Sequence, residues 1–140
     1  MNWTLEVVVV PVSDVDRARA FYADQLGFHV DHENRTADGG RFVQLTPPGS
    51  GCSIVVGNGV VDMAPGSLKG LQLVVPDLRA ARAQLVERGV RVSEIQVFGP
   101  DGPRPAGDGE DLDNVGFVFF SDPDGNGWAV QQISARANAR

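Results

Sequence analysis

The sequence is short of the residue types that build specialised chemistry. Its 140 residues hold one cysteine, Cys52, and two histidines, His29 and His32. A single cysteine closes no disulfide within the chain and builds no thiolate-rich zinc site. No histidine or basic residue lies beside Cys52 in sequence, so it reads as a buried thiol and not as a nucleophile. Lys and Arg number 12 against 18 Asp and Glu, a formal charge of -6, and no basic cluster breaks the acidic spread. That argues against a nucleic-acid surface, which needs clustered cations to meet phosphate. Long hydrophobic runs are missing too. The apolar stretch Val7 to Val10 is too short to span a bilayer, and no basic segment precedes it. The expectation is a cytoplasmic protein with no nucleic-acid or membrane partner.

What is present suits one compact domain over residues 1–140, with 42% hydrophobic residues to share a core. It contains an internal repeat. "VSDVDRARAFYADQLGFHV" from Val12 returns as "VPDLRAARAQLVERGVRV" from Val75. Asp14 matches Asp77 at an offset of 63 (77 minus 14), and Gly27 matches Gly89 at 62 (89 minus 27). The chain therefore divides into two modules, about residues 1–62 and 63–140.

Each copy has the same grammar. A β-branched alternating strand comes first, "LEVVVVPV" or "LQLVV". Asp14 and Asp77 follow, placed to N-cap a helix with a carboxylate that accepts an orphan backbone N–H. Helical spacing predicts a first helix over about 15–25, with Val15, Ala18, Phe21, Tyr22 and Leu26 as its apolar stripe; Leu78, Ala81, Leu85 and Val86 do the same in the second. Gly27 and Gly89 sit where a left-handed residue stops a helix. Three strands then follow in each module: "FHVDHE", "RFVQLTP" and "CSIVVG" in the first, "RVSEIQVF", "GFVFFSD" and "WAVQQIS" in the second. The unit is βαβββ, and the fold class is α+β. The Gly- and Pro-rich stretch Phe98 to Gly116 reads as a long loop, a lid, an interface element or plain disorder, with its acidic run Asp108, Glu110, Asp111 and Asp113 as a solvated face.

On "VSDVDRARAFYADQLGF" and "FFSDPDGNGW", in that order and within a repeat, the chain resembles the vicinal-oxygen-chelate superfamily of glyoxalases, bleomycin-resistance proteins and extradiol dioxygenases. The resemblance implies two tandem modules forming a cup-shaped mixed sheet with helices on its outer face, and a homodimer. Enzymes of the superfamily hold a divalent metal with His or Glu on four inward-facing strand positions. Carried over, these positions are Val7, Val55, Gly70 and Ala129. None supplies a donor to a metal, and among their neighbours only Glu6 could. No metal and no cofactor are expected.

Period-two alternation from those positions assigns Val7, Val9, Phe42, Gln44, Ser53, Val55, Gly70, Gln72, Ala129 and Gln131 to the inner face as ligand-binding candidates, along with Val74. The lining is apolar with neutral hydrogen-bonding groups, which suits a small, largely apolar organic molecule. Gln72 and Gln131 either reach into the space a metal would occupy or end their strands in water. His29 and His32, three apart on a strand, are expected on opposite faces, with His29 and Asp31 sharing the inner face as the best acid/base candidates. Two functions stand: a metal-free binder of the bleomycin-resistance type, or an enzyme of lyase, isomerase or dioxygenase type, either metal-independent or using metal ligands outside the usual positions.

Overall fold

A computed structural model describes residues 1–135 of the chain. The chain forms two compact units. The first comprises Met1–Lys69 together with Asp122–Asn126, and the second Gly70–Ser121 with the residues from Gly127 on. Each carries one module of a tandem βαβββ α+β fold.

In the first unit, β1 (Val7–Pro11), β2 (His29–Arg35), β3 (Arg41–Thr46) and β4 (Ser53–Gly57) form a sheet of order β1-β4-β3-β2. The β1/β4 pair is parallel and the others antiparallel. The parallel pair follows from the helix between β1 and β2, since parallel strands need a long crossover. That helix, α1 (Val15–Ala20), starts where Asp14 caps it: the Asp14 carboxylate accepts from Arg17 N–H at 3.0 Å. The expected helix over 15–25 is not uniform. Residues Phe21–Gln25 widen into a π-helical turn, with Leu26 N–H donating to Phe21 C=O at 3.0 Å. The widened turn sets both Phe21 and Tyr22 inward, and Gly27 at φ 78° ends it. Val10, Val43, Leu45, Val56, Ala18 and Tyr22 are the fully enclosed side chains of this unit's core.

In the second unit, β5 (Leu71–Val75), β6 (Gln96–Gly99), β7 (Gly102–Pro105), β8 (Gly116–Ser121) and β9 (Gly127–Gln132) form a sheet of order β5-β9-β8-β6-β7. The helix α2 (Leu78–Glu87) is capped by Asp77, which accepts from Ala80 N–H at 3.1 Å, and is followed by Gly89 at φ 81°. The two modules agree register for register. Val9 lies five residues before Asp14 (14 minus 9) and pairs with Val55; Gln72 lies five before Asp77 (77 minus 72) and pairs with Ala129.

Two sequence expectations are corrected here. The strand expected over 91–98 is confined to Gln96–Gly99, and the stretch 98–116 is not one loop. It contains β7, an edge strand whose prolines, Pro103 and Pro105, are tolerated because an outer strand need not donate on both sides. The turn after β7 is tied down by Arg104, bonded to Glu110, and by Arg79, which donates to the carbonyls of Gly107 and Glu110 at 3.2 and 3.0 Å.

Candidate functional site

The face of the second sheet away from α2 carries the candidate site. Trp128 and Val130 are buried, Trp128 stacked on Phe120, so alternation turns Ala129 and Gln131 the other way. Register then fixes their neighbours. Gln72, Ala129 and Phe119 lie side by side across β5, β9 and β8, and Val74, Gln131, Phe117 and Gln96 form the next row. Phe98 closes the cluster edge-on, with its ring centroid 5.2 Å from Phe117 and 6.2 Å from Phe119. The Phe117 and Phe119 rings lie nearly parallel, 7° apart. Gln72, Phe98, Phe117, Phe119 and Ala129 line a hollow of about 270 Å³, near the lower end of small-molecule pockets. None of these five groups ionises near neutral pH.

Phe119 is 38% exposed and Phe98 40%, an unusual state for aromatic rings that could have been buried in a core. Beside the rings runs a short polar chain. Gln72 Nε2 donates to Gln131 Oε1 at 2.7 Å, and Gln131 Nε2 donates to the Asn114 carbonyl at 3.0 Å. Asn114 adopts φ 68°, a left-handed conformation that asparagine tolerates, and so turns its carbonyl toward Gln131. Gln72 is exposed to solvent and Gln131 half-buried, and the two are joined side chain to side chain.

The corresponding face of the first unit carries Val7 paired with Ser53, Val9 with Val55, Val55 with Gln44, and Phe42 with Gly57. Ser53 and Val55 are buried; Val7, Val9, Phe42 and Gln44 are half-buried. A polar chain crosses this face: the Thr46 hydroxyl bonds Asp31 and meets Ser53 Oγ at 2.6 Å. His29 approaches Asp31 only to 3.9 Å and is 78% exposed, so the pair forms no hydrogen bond. The expectation that His29 and His32 face opposite ways is overturned by a bulge. The register of β2 against β3 shifts between Val30 and His32, which brings His29 opposite Thr46 and His32 opposite Gln44, positions of one face. His32 packs edge-on against Phe42 and meets Asn34 Nδ2 at 2.9 Å. A second hollow, of about 310 Å³, is lined by Glu33, Asn34, Arg35 and Arg41. It is an outer-strand surface where Arg41 already pairs with Asp16 and Glu33.

The residues do not fit the metal that the superfamily's enzymes imply. Val7, Val55 and Ala129 present alkyl groups, and Gly70, at φ 89°, precedes β5 and has no side chain to present. Among the described residues no three His, Cys, Asp or Glu side chains gather where they could hold an ion. Sequence reasoning placed Gln72, Ala129 and Gln131 but passed over Phe98, Phe117, Phe119, Asn114 and Thr46. The same alternation, applied to "GFVFFSD", would have set Phe117 and Phe119 beside Gln131 and Ala129.

This fold defines a class, the glyoxalase-like proteins built of tandem βαβββ modules. The chain belongs to the Glyoxalase/Bleomycin resistance protein/Dioxygenase superfamily, whose model matches residues 4–130. Among solved structures it is similar to TnmS3, an antibiotic binding protein from Streptomyces sp. CB03234, at 33% identity over 95% of this chain and 98% of that one, with a TM-score of 0.73. A glyoxalase/bleomycin resistance protein from the same Streptomyces is 36% identical over 92% of this chain and 100% of its own, with a TM-score of 0.69. A superfamily member from Sphaerobacter thermophilus DSM 20745 is 26% identical over 94% and 98%, with a TM-score of 0.68. No curated protein matches the chain in sequence.

Proposed function

We propose that the chain is a cytoplasmic, homodimeric binding protein that holds a small, largely apolar aromatic molecule without a metal and releases it unchanged. The observation that carries this reading is the hollow of Phe98, Phe117, Phe119 and Ala129, rimmed by Gln72, with no acid, base or nucleophile among its lining residues. Aromatic walls gain from burying a flat apolar ligand, while a neutral amide orients it at little desolvation cost. The antibiotic-binding description of TnmS3, a relative along nearly the whole chain, supports a role in capturing such compounds.

The test is calorimetric titration of the full chain with a panel of aromatic antibiotics, followed by mass spectrometry of the recovered compound. At least one should bind with a stoichiometry of about one per chain and come back unchanged. Phe119→Ala should weaken it by about 1.5–3 kcal/mol, roughly 10- to 150-fold in Kd, the worth of a phenyl ring withdrawn from contact. Prior treatment with a chelator should leave Kd unaltered. Turnover of the ligand would overturn the binder in favour of an enzyme, and binding lost to the chelator would overturn metal independence.

A further inference from the structure

The dipeptide Asn-Gly occurs twice in the chain, at Asn58-Gly59 and at Asn126-Gly127, and the fold treats the two copies in opposite ways. The pair is chemically labile, because a glycine has no side chain to shield its backbone nitrogen from the amide carbon of the asparagine before it. Asn126 is fully buried, and every polar atom of its side chain is engaged: Nδ2 donates to Pro11 C=O and to Asp122 Oδ2, both at 2.8 Å, and Oδ1 accepts from Leu68 N–H at 3.1 Å. Its amide cannot swing toward the Gly127 nitrogen without breaking these bonds. Asn58 and Gly59 are exposed, in the turn that leaves β4. The Asn58 backbone N–H donates to Arg41 C=O at 3.1 Å, but among the described residues no hydrogen bond engages the Asn58 amide or the Gly59 N–H. Gly59 turns at φ 65°, with open space on the side where another residue would carry its Cβ.

From this contrast we infer that Asn58 is a site of spontaneous deamidation in the folded protein, and that Asn126 is protected until the chain unfolds. Hydroxide takes the Gly59 N–H proton, and the freed nitrogen attacks Asn58 Cγ. The new N–C bond forms as the Cγ–NH2 bond breaks, and ammonia leaves with a proton from water. Water then opens the cyclic imide at either carbonyl, giving aspartate or isoaspartate. The net change is one water consumed and one ammonia released, with nothing oxidised or reduced. Either product takes the formal charge from -6 to -7 (-6 minus 1), since the new carboxyl is ionised at neutral pH. Isoaspartate also threads the side-chain carbon into the main chain, and the longer link displaces Val60, which the turn folds back over Gly57 so closely that a Cβ there would lie 2.5 Å from Val60 Cγ2.

The full chain, native and urea-unfolded, is held in mildly alkaline buffer and sampled over time by peptide mapping and mass spectrometry. Deamidation reads as a gain of about 1 Da, an OH in place of an NH2, in the peptide carrying Asn58 or Asn126. In the native protein the Asn58 peptide should convert within about threefold of its rate in the unfolded chain, because an exposed turn needs no opening, whereas the Asn126 peptide should convert more than about tenfold slower than when unfolded, because its buried bonds must break first. Gly59→Ala, whose methyl shields the nitrogen, should slow conversion at Asn58 in the unfolded chain, where the variant's own folding plays no part. Asn58 intact in the native protein while the unfolded chain converts there overturns the inference. Conversion of Asn126 at equal rates in both states overturns its protection, and an unfolded chain stable at both positions overturns the lability on which both rest.

Discussion

Asp122 in the turn between β8 and β9 shows what a single side chain organises. It is 5% exposed, and its carboxylate accepts from the N–H groups of Asp124, Gly125 and Asn126 through one oxygen and from the Tyr22 hydroxyl and Asn126 Nδ2 through the other. Asn126, fully buried, extends the network by donating to Pro11 C=O at 2.8 Å and accepting from Leu68 N–H at 3.1 Å. Every buried polar group in this turn is therefore paired, the condition under which such groups stabilise. Tyr22→Phe should cost about 1–3 kcal/mol in urea unfolding, the range for a buried bond to a charged acceptor. Asn126→Ala should cost more, because it strips the partners of Pro11 and Leu68 as well; an Asn126→Ala protein as stable as Tyr22→Phe would show that those two groups find other partners. In the sequence Tyr22 was legible as one member of an apolar stripe, and "DPDGN" as a turn. Their union was not, since periodicity reports the face a residue occupies and never names a polar partner 100 residues away. The site divides the same way: Ala129 and Gln131 follow from alternation, whereas the direction of the glutamine chain depends on Asn114, whose left-handed backbone leaves no periodic trace.

At the scale of elements, the parts read correctly from sequence are those specified locally. Asp14 and Asp77 cap their helices, and Gly27 and Gly89 end them, because each does so through bonds to its own neighbours in the chain. The parts misread depend on longer-range pairing. The β2 bulge reverses the facing of half a strand, and β7 exists because β6 offers it an edge. The β6–β7 hairpin also carries the clearest response to acid. Bonding to the Arg104 guanidinium, and next the Gly107 N–H, holds the Glu110 carboxyl down at about 2 against an ordinary 4.5. A carboxylate with a depressed folded pKa contributes stability above its unfolded value and loses it as pH falls through the folded one. The advantage of the native protein over Glu110→Gln should hold steady above about pH 4.5 and shrink between about pH 4.5 and pH 2. Urea midpoints of the two proteins across that window decide the matter, and a difference independent of pH would remove the ion pair as its source. Because the pair is exposed to solvent, the difference should also fall as salt is added.

For the whole molecule, the formal charge of -6 and the absence, among the described residues, of any helix long and apolar enough to cross a membrane agree with the acidic, run-poor composition. The two modules repeat a register but not a chemistry. Where the first sheet places Val9 against Val55, the second places Gln72 against Ala129 and adds three phenylalanines nearby, so one register carries two different surfaces. The division of the chain has a further consequence, for the order in which it is made. The first unit includes residues 122–126, so Tyr22, Pro11 and Leu68 gain their buried polar partners only after Gly70–Ser121 of the second unit has been synthesised. A fragment ending at Lys69 should fail to unfold cooperatively in urea, whereas the full chain does so; a sharp transition in the fragment would show that the turn is dispensable. A nascent chain must accordingly wait, with its first module built but unfastened, for a clasp that leaves the ribosome only behind most of the second module.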